Sequence, residues 1–191
     1  FTLGRVRFVL TDLRSEHTKD SVLGRDQLAW LLDELTTASR THAAVVWVSS
    51  IPWVGEESPG TDSWFGMPEE RRAIADAIAD NEIDNEIDNL LLVSGDAHMV
   101  AIDDGSHSDY STGGTDGFPV LAAAALDRPG SIKGGPYSDG MFPGGGQFGV
   151  LDVVDDGGDT IILRLSGRTW DGVTLVEREV SFAVPPGARV P

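Results

Sequence analysis

The chain has 191 residues and a formal net charge of −17. That length suffices for one domain with a sizeable core, and the acidity counts against binding a nucleic-acid backbone. There is no cysteine, which excludes disulfides and thiolate metal sites, and no apolar run approaches the roughly eighteen residues a membrane helix needs.

Residues 5–12 read as a strand with Val6, Phe8 and Leu10 on one face. Residues 24–38 read as a helix whose stripe is Leu28, Leu31, Leu32 and Leu35. Residues 42–50 hold a continuous apolar run, as in a strand covered on both faces. A polar loop with Trp53 and Trp64 leads to a second predicted helix at 68–79. Pro68 suits its first turn, and Glu69 and Glu70 favour its positive end. A strand at Leu90 follows. Strand, helix, strand, helix, strand predicts an α/β fold with a mostly parallel sheet and helices packed on it.

Beyond Val100 the chain turns glycine-, serine- and aspartate-rich. Residues 118–126 fit a buried strand or a short helix. Runs at 148–154, 160–165 and 173–184, joined by short turns, predict an antiparallel meander. No composition break divides residues 1–191, which read as one domain. The start at Phe1 suggests a processed chain or a fragment. The repeat Asn81-Glu82-Ile83-Asp84, Asn85-Glu86-Ile87-Asp88 has no function that two copies would explain.

The stretch most suggestive of chemistry is Ser94-Gly95-Asp96-Ala97-His98, at the exit of an apolar strand. Crevices outside the carboxyl ends of strands are where open α/β sheets hold ligands. If the backbone stays extended past Gly95, Asp96 and His98 point to the same side. A carboxylate and an imidazole suit zinc, iron, manganese or similar cations; the plain alternative is a turn-capping aspartate and a surface histidine. Asp12 and Arg14 sit at another strand exit. Arginine's planar fork matches a phosphate, with the aspartate orienting it; the alternative is a structural ion pair. Asp62, Trp64 and Arg71 surround a loop-to-helix junction, either as a pocket mouth or as packing. Lys133-Gly134-Gly135 could offer donors to an anion, but it lacks the ending of a P-loop. His107 lies in an acidic loop that lacks the spacing of an EF-hand.

Taken in order, Thr11-Asp12-Leu13-Arg14-Ser15, Leu23-Gly24 with Gln27, Trp30 and Leu31, the Asp62-x-Trp64 segment running to Glu70-Arg71, and Ser94-Gly95-Asp96-Ala97-His98 resemble the carboxyl-terminal part of a PhoD-like alkaline phosphatase. That family lies within the calcineurin-like metallophosphoesterase superfamily. The resemblance implies an αββα sandwich with two or more metal ions (Fe, Ca, Zn or Mn) at the sheet edge. A metal-activated water would hydrolyse a phosphate ester of a small molecule, by phosphomonoesterase or phosphodiesterase chemistry. It assigns Asp96 and His98 to the metal cluster, and Arg14, supported by Asp12, to the phosphate. The family's other metal-binding motifs precede the matched part. The implied active enzyme therefore includes an amino-terminal part of the domain upstream of Phe1, and export, secreted or periplasmic, is the implied location. Two competing readings of the residues remain open: a non-catalytic acidic interaction or structural domain, and an extracellular calcium-binding module.

Overall fold

The computed structural model describes residues 1–79 and 87–188. The first copy of the tetrapeptide repeat, with Asn85 and Glu86 of the second, lies outside the described residues.

A mixed sheet runs through the centre. Its strands are β1 (Thr2–Leu3), β2 (Val6–Leu10), β3 (Ala44–Ser49), β4 (Leu90–Ser94), β5 (Met99–Asp103), β6 (Val120–Ala122) and β7 (Met141–Pro143), in the order β1-β2-β3-β4-β6-β5-β7. The run β2-β3-β4-β6 is parallel. β1, β5 and β7 are antiparallel to their neighbours. A second sheet, β8 (Gln147–Val154), β9 (Thr160–Thr169) and β10 (Thr174–Ala183), is the expected antiparallel meander.

Alternation along the central strands sorts the core into two. Val45 and Trp47 of β3 and Leu90 and Leu92 of β4 face the helices α1 (Arg25–Thr41) and α2 (Pro68–Ala79), meeting Leu31, Leu35, Ile74 and Ile78. Ala44, Val46 and Leu91 face the other way, onto Ile161, Leu163, Leu165 and Phe182 of the second sheet. The layers are therefore helices, sheet, sheet. The two sheets come close at Gly167, where an added Cβ would lie 1.7 Å from Val100 Cγ1. Only a residue without a side chain fits there.

α1 stops where His42 turns extended, its amide still bonded to Ala38 O at 2.9 Å. β3 follows at once, so helix and strand are joined almost without a loop. Trp47, Trp53 and Trp64 are fully buried and pack edge-on, with ring centroids 5.4–5.6 Å apart. Truncating any one would cost about 3–5 kcal/mol. Among the described residues no helix is long and apolar enough to cross a membrane.

Candidate functional site

Because β2, β3 and β4 are parallel, the loops that leave them emerge at one edge. The loop after β2 carries Asp12 and Arg14, the loop after β3 carries Asp62, and the turn after β4 carries Asp96 and His98.

The Arg14 guanidinium places Nη1 at 2.7 Å from both carboxylate oxygens of Asp62. This contact holds the Asp62 carboxyl below its usual range and the Arg14 guanidinium above its own; Asp96 reinforces the second shift. His17 Nε2 lies 3.8 Å from Asp62, and the charge of Lys133 also helps hold Asp62 ionised. Lys133 Nζ pairs with the Asp96 carboxylate. Arg14, Asp62, Lys133 and Asp96 thus form a cluster of two cations and two anions at the strand-end edge.

Asp12 acts on the backbone beside Arg14 rather than on its guanidinium. Its carboxylate accepts from the amides of Arg14 and Ser15, at 2.9 and 3.0 Å, and from the Ser15 hydroxyl. The Ser15 contacts, then that with Arg14, hold its pKa down. Gln27, on α1, clamps Asp12 from behind: its Oε1 accepts from Asp12 N and its Nε2 donates to Asp12 O, both at 2.7 Å. Gln27 belonged to the ordered motif set, but spacing offered no role for it.

The turn after β4 corrects the alternation argument. The strand stops at Ser94, and Asp96 and His98 have φ of 63° and 53°, the positive-φ non-glycine residues of the described chain. They are not extended neighbours; they are two left-handed residues with buried Ala97 between them. Aspartate and histidine tolerate this region better than most residues, yet it costs of order 1 kcal/mol each, a strain typical of functional turns. The turn is braced from outside by Ser131, whose amide donates to His98 O at 3.0 Å. The His98 ring has no hydrogen-bond partner among the described residues.

The tryptophans are structural. Trp47 Nε1 donates to Thr11 Oγ1 at 3.1 Å, Trp64 Nε1 to Ser49 Oγ at 3.0 Å, and Trp53 Nε1 to Ser108 O at 2.8 Å. Two of the three therefore tie down the ends of β2 and β3. Arg71 is buried, and burial pulls its pKa down; its guanidinium is turned inward onto the carbonyls of Trp53 and Gly55. His107 bonds through Nδ1 to the fully buried Asp103 at 2.8 Å. It lies toward the opposite edge, because β5 runs against β6. The acidic loop spends its carboxylates on its own backbone: Asp109 accepts from the amides of Ser111 and Thr115 at 2.8 and 2.6 Å.

The expectation of two or more metal ions held by this chain is overturned. Among the described residues no three or more histidines, aspartates, glutamates or cysteines come together to hold a metal ion. Asp96 and His98 are two donors only, and the Asp96 carboxylate is engaged by Lys133. Among the described residues, the carboxylates and imidazoles present do not make up a metal cluster.

A helix layer, a mixed sheet and a second sheet, with charged loops at the strand ends, make an α/β sandwich. The PhoD-like phosphatase family matches residues 9–129, more than half of the chain, and the chain belongs to that family. Two solved structures share the fold. One, described as the structure of PhoD, has a TM-score of 0.53 at 15% identity, covering 99% of this chain and 44% of that one. The other, described as GAP50, the anchor in the inner membrane complex of Plasmodium, has a TM-score of 0.52 at 14% identity, covering 96% of this chain and 50% of that one. This chain thus spans half or less of the length of either. A search of curated proteins found no match.

Proposed function

We propose that this chain supplies the phosphoryl-binding edge of a phosphate-ester hydrolase. One solved relative by fold is a PhoD and another is an anchor, so the fold by itself does not select an activity. The reading rests on one observation in a member of the PhoD-like phosphatase family: Arg14, positioned at a strand exit and held by Asp62, with half of its side chain exposed. A guanidinium kept charged and oriented, yet open to solvent, can exchange a carboxylate partner for phosphoryl oxygens. Asp12 and Gln27 fix the backbone that carries it.

In hydrolysis a water oxygen bonds to phosphorus, the bond to the ester oxygen breaks, and the alcohol leaves with a proton. In this reading Arg14 binds and orients the phosphoryl group and offsets charge gathering on its oxygens. Asp96 shapes the strand-end turn. His98, in that turn and with an uncommitted ring, is available for proton transfer at the ester oxygen. Export of the protein, as a secreted or periplasmic enzyme, accompanies this reading as part of the family resemblance.

The test is hydrolysis of an aryl phosphate by the full-length protein and its Arg14→Gln variant. Loss of a charge-stabilising donor costs about 100- to 1000-fold in turnover, and that loss is expected. Turnover in the variant equal to the parent would dismiss the assignment.

A further inference from the structure

Lys133 is one of two lysines in this acidic chain. The other, Lys19, is nearly fully exposed beside Asp20. Lys133 instead rests on Asp96 in the strand-end cluster, and its position is built. The backbone behind it passes hard against the loop after β3: Gly135 N donates to Val54 O at 3.0 Å, and Gly55 and Gly135 form a parallel bridge. Gly134 has φ of 80°, and an added Cβ would fall 2.1 Å from Val54 O. Any other residue at 134 would meet both a steric clash and an unfavourable conformation. The chain accepts this constraint one residue after the lysine, and the result is a fixed root for the Lys133 side chain.

Its partner is equally constrained, since Asp96 is held left-handed. Yet the pair is part-exposed, with 39% of the Lys133 side chain and 28% of that of Asp96 accessible. An ion pair so open to water contributes little to stability. The constraint on both residues is therefore poorly explained by the pair itself. The wider arrangement explains it better. Lys133 is close enough to Asp62 to help keep it ionised, and Asp96 is close enough to Arg14 to help keep it charged. Each cation sits on one carboxylate and within reach of the field of the other.

We propose that Lys133 is a second phosphoryl-binding cation beside Arg14, parked on Asp96 until an anion displaces that carboxylate. This rests on the reading of Arg14 as a phosphoryl ligand and adds a partner to it. Asp96 then competes with the incoming anion for Lys133, which makes the effects of altering the two residues opposite in sign.

The experiment is calorimetric titration of inorganic phosphate into the full-length protein and into Lys133→Met, Lys133→Arg, Asp96→Asn and Arg14→Gln variants, with the thermal midpoint recorded for each. Lys133→Met is expected to weaken phosphate about tenfold with its midpoint unmoved, Lys133→Arg to stay within about threefold of the parent, and Asp96→Asn to bind phosphate about threefold more tightly. Asparagine is at ease in the left-handed region, so the last variant keeps the turn. Parent-like binding by Lys133→Met, with binding lost in Arg14→Gln, would overturn the Lys133 proposal and leave the Arg14 reading standing. Asp96→Asn binding no better than the parent would overturn the exchange. Absence of saturable phosphate binding in the parent would overturn the Arg14 reading and this proposal together.

Discussion

Glu70 and Arg71, adjacent in the first turn of α2, hold two different loops of the site. The Glu70 carboxylate accepts from Ser21 Oγ at 2.7 Å and from the amides of Val22 and Leu23 at 2.6 and 3.3 Å, on the loop that follows β2. Arg71 Nη1 donates to Trp53 O and Gly55 O at 3.0 and 2.9 Å, on the loop that follows β3. The same two loops meet again where Arg14 binds Asp62. One helical turn therefore sets the relative position of two strand exits, although neither of its residues belongs to the charged cluster.

Glu70→Gln should destabilise the fold by about 1–3 kcal/mol. The amide keeps the size of the carboxylate, but it replaces one acceptor oxygen with a donor that faces buried N–H groups. Urea denaturation of parent and variant measures the difference. Equal midpoints and slopes would show that the Ser21–Leu23 loop holds itself without Glu70.

Arg71→Lys should prove non-conservative, at about 2–4 kcal/mol. The Arg71 guanidinium carbon lies 3.5 Å over the centroid of the Tyr110 ring, and the Tyr110 hydroxyl in turn accepts from Gly55 N at 2.9 Å. The planar fork satisfies two carbonyls while it stacks on the ring; an ammonium is a compact charge that cannot reproduce that geometry. Burial opposes any charge here, so a lysine would have less to offset its desolvation. A thermal midpoint for Arg71→Lys within a degree of the parent would refute this account.

What was readable along the chain was what lies close in it. α2 runs over 68–79 as expected, because Pro68, the first-turn glutamates and the apolar face at Ile74 and Ile78 all agree locally. The meander was legible from its turns. β5 and β7 were not. Met99–Asp103 is buried at every position and so shows no alternation. Met141–Pro143 is three residues between glycine-rich turns. At the site, the strand exits were legible, and the pairings across them were not. Arg14 meets Asp62 across 48 positions and Lys133 meets Asp96 across 37, and no spacing rule reaches that far. The left-handed turn escaped because extended backbone is the default for aspartate and histidine, and their enrichment in the left-handed region is too weak to overturn it.

Arg5 links the two sheets, and this link predicts an acid-sensitive contribution to stability. Its Nε lies 3.0 Å from an Asp155 carboxylate oxygen and its Nη1 donates to Gly158 O at 3.0 Å, so the edge of the central sheet is tied to the β8–β9 turn. The contact with Arg5 holds the Asp155 carboxyl below its usual range. A carboxyl that binds its proton less readily folded than unfolded stabilises the fold above its unfolded value, near pH 4, and loses that contribution as pH falls through the lowered folded value. The stability difference between the parent and Asp155→Asn should be full at pH 7 and pH 5, shrink below pH 4, and vanish once both states are protonated. Denaturation at a series of pH values measures it. A difference that grows toward acid would have the wrong sign for this linkage.

His98→Gly should separate stability from function. His98 carries φ of 53°, its ring has no hydrogen-bond partner among the described residues, and its carbonyl bond to Ser131 N is a backbone contact that the substitution leaves in place. Glycine adopts this conformation without the steric penalty that a side chain meets. The strain released in the folded state, of order 1 kcal/mol, meets or slightly exceeds what the more flexible unfolded chain costs, about 0.4–1 kcal/mol. The thermal midpoint of the variant should equal or exceed that of the parent, while its aryl phosphate turnover falls at least tenfold. Residues that gain stability when removed are those a fold keeps for another purpose. A variant that is both less stable and fully active would place His98 among the packing residues and remove it from the site.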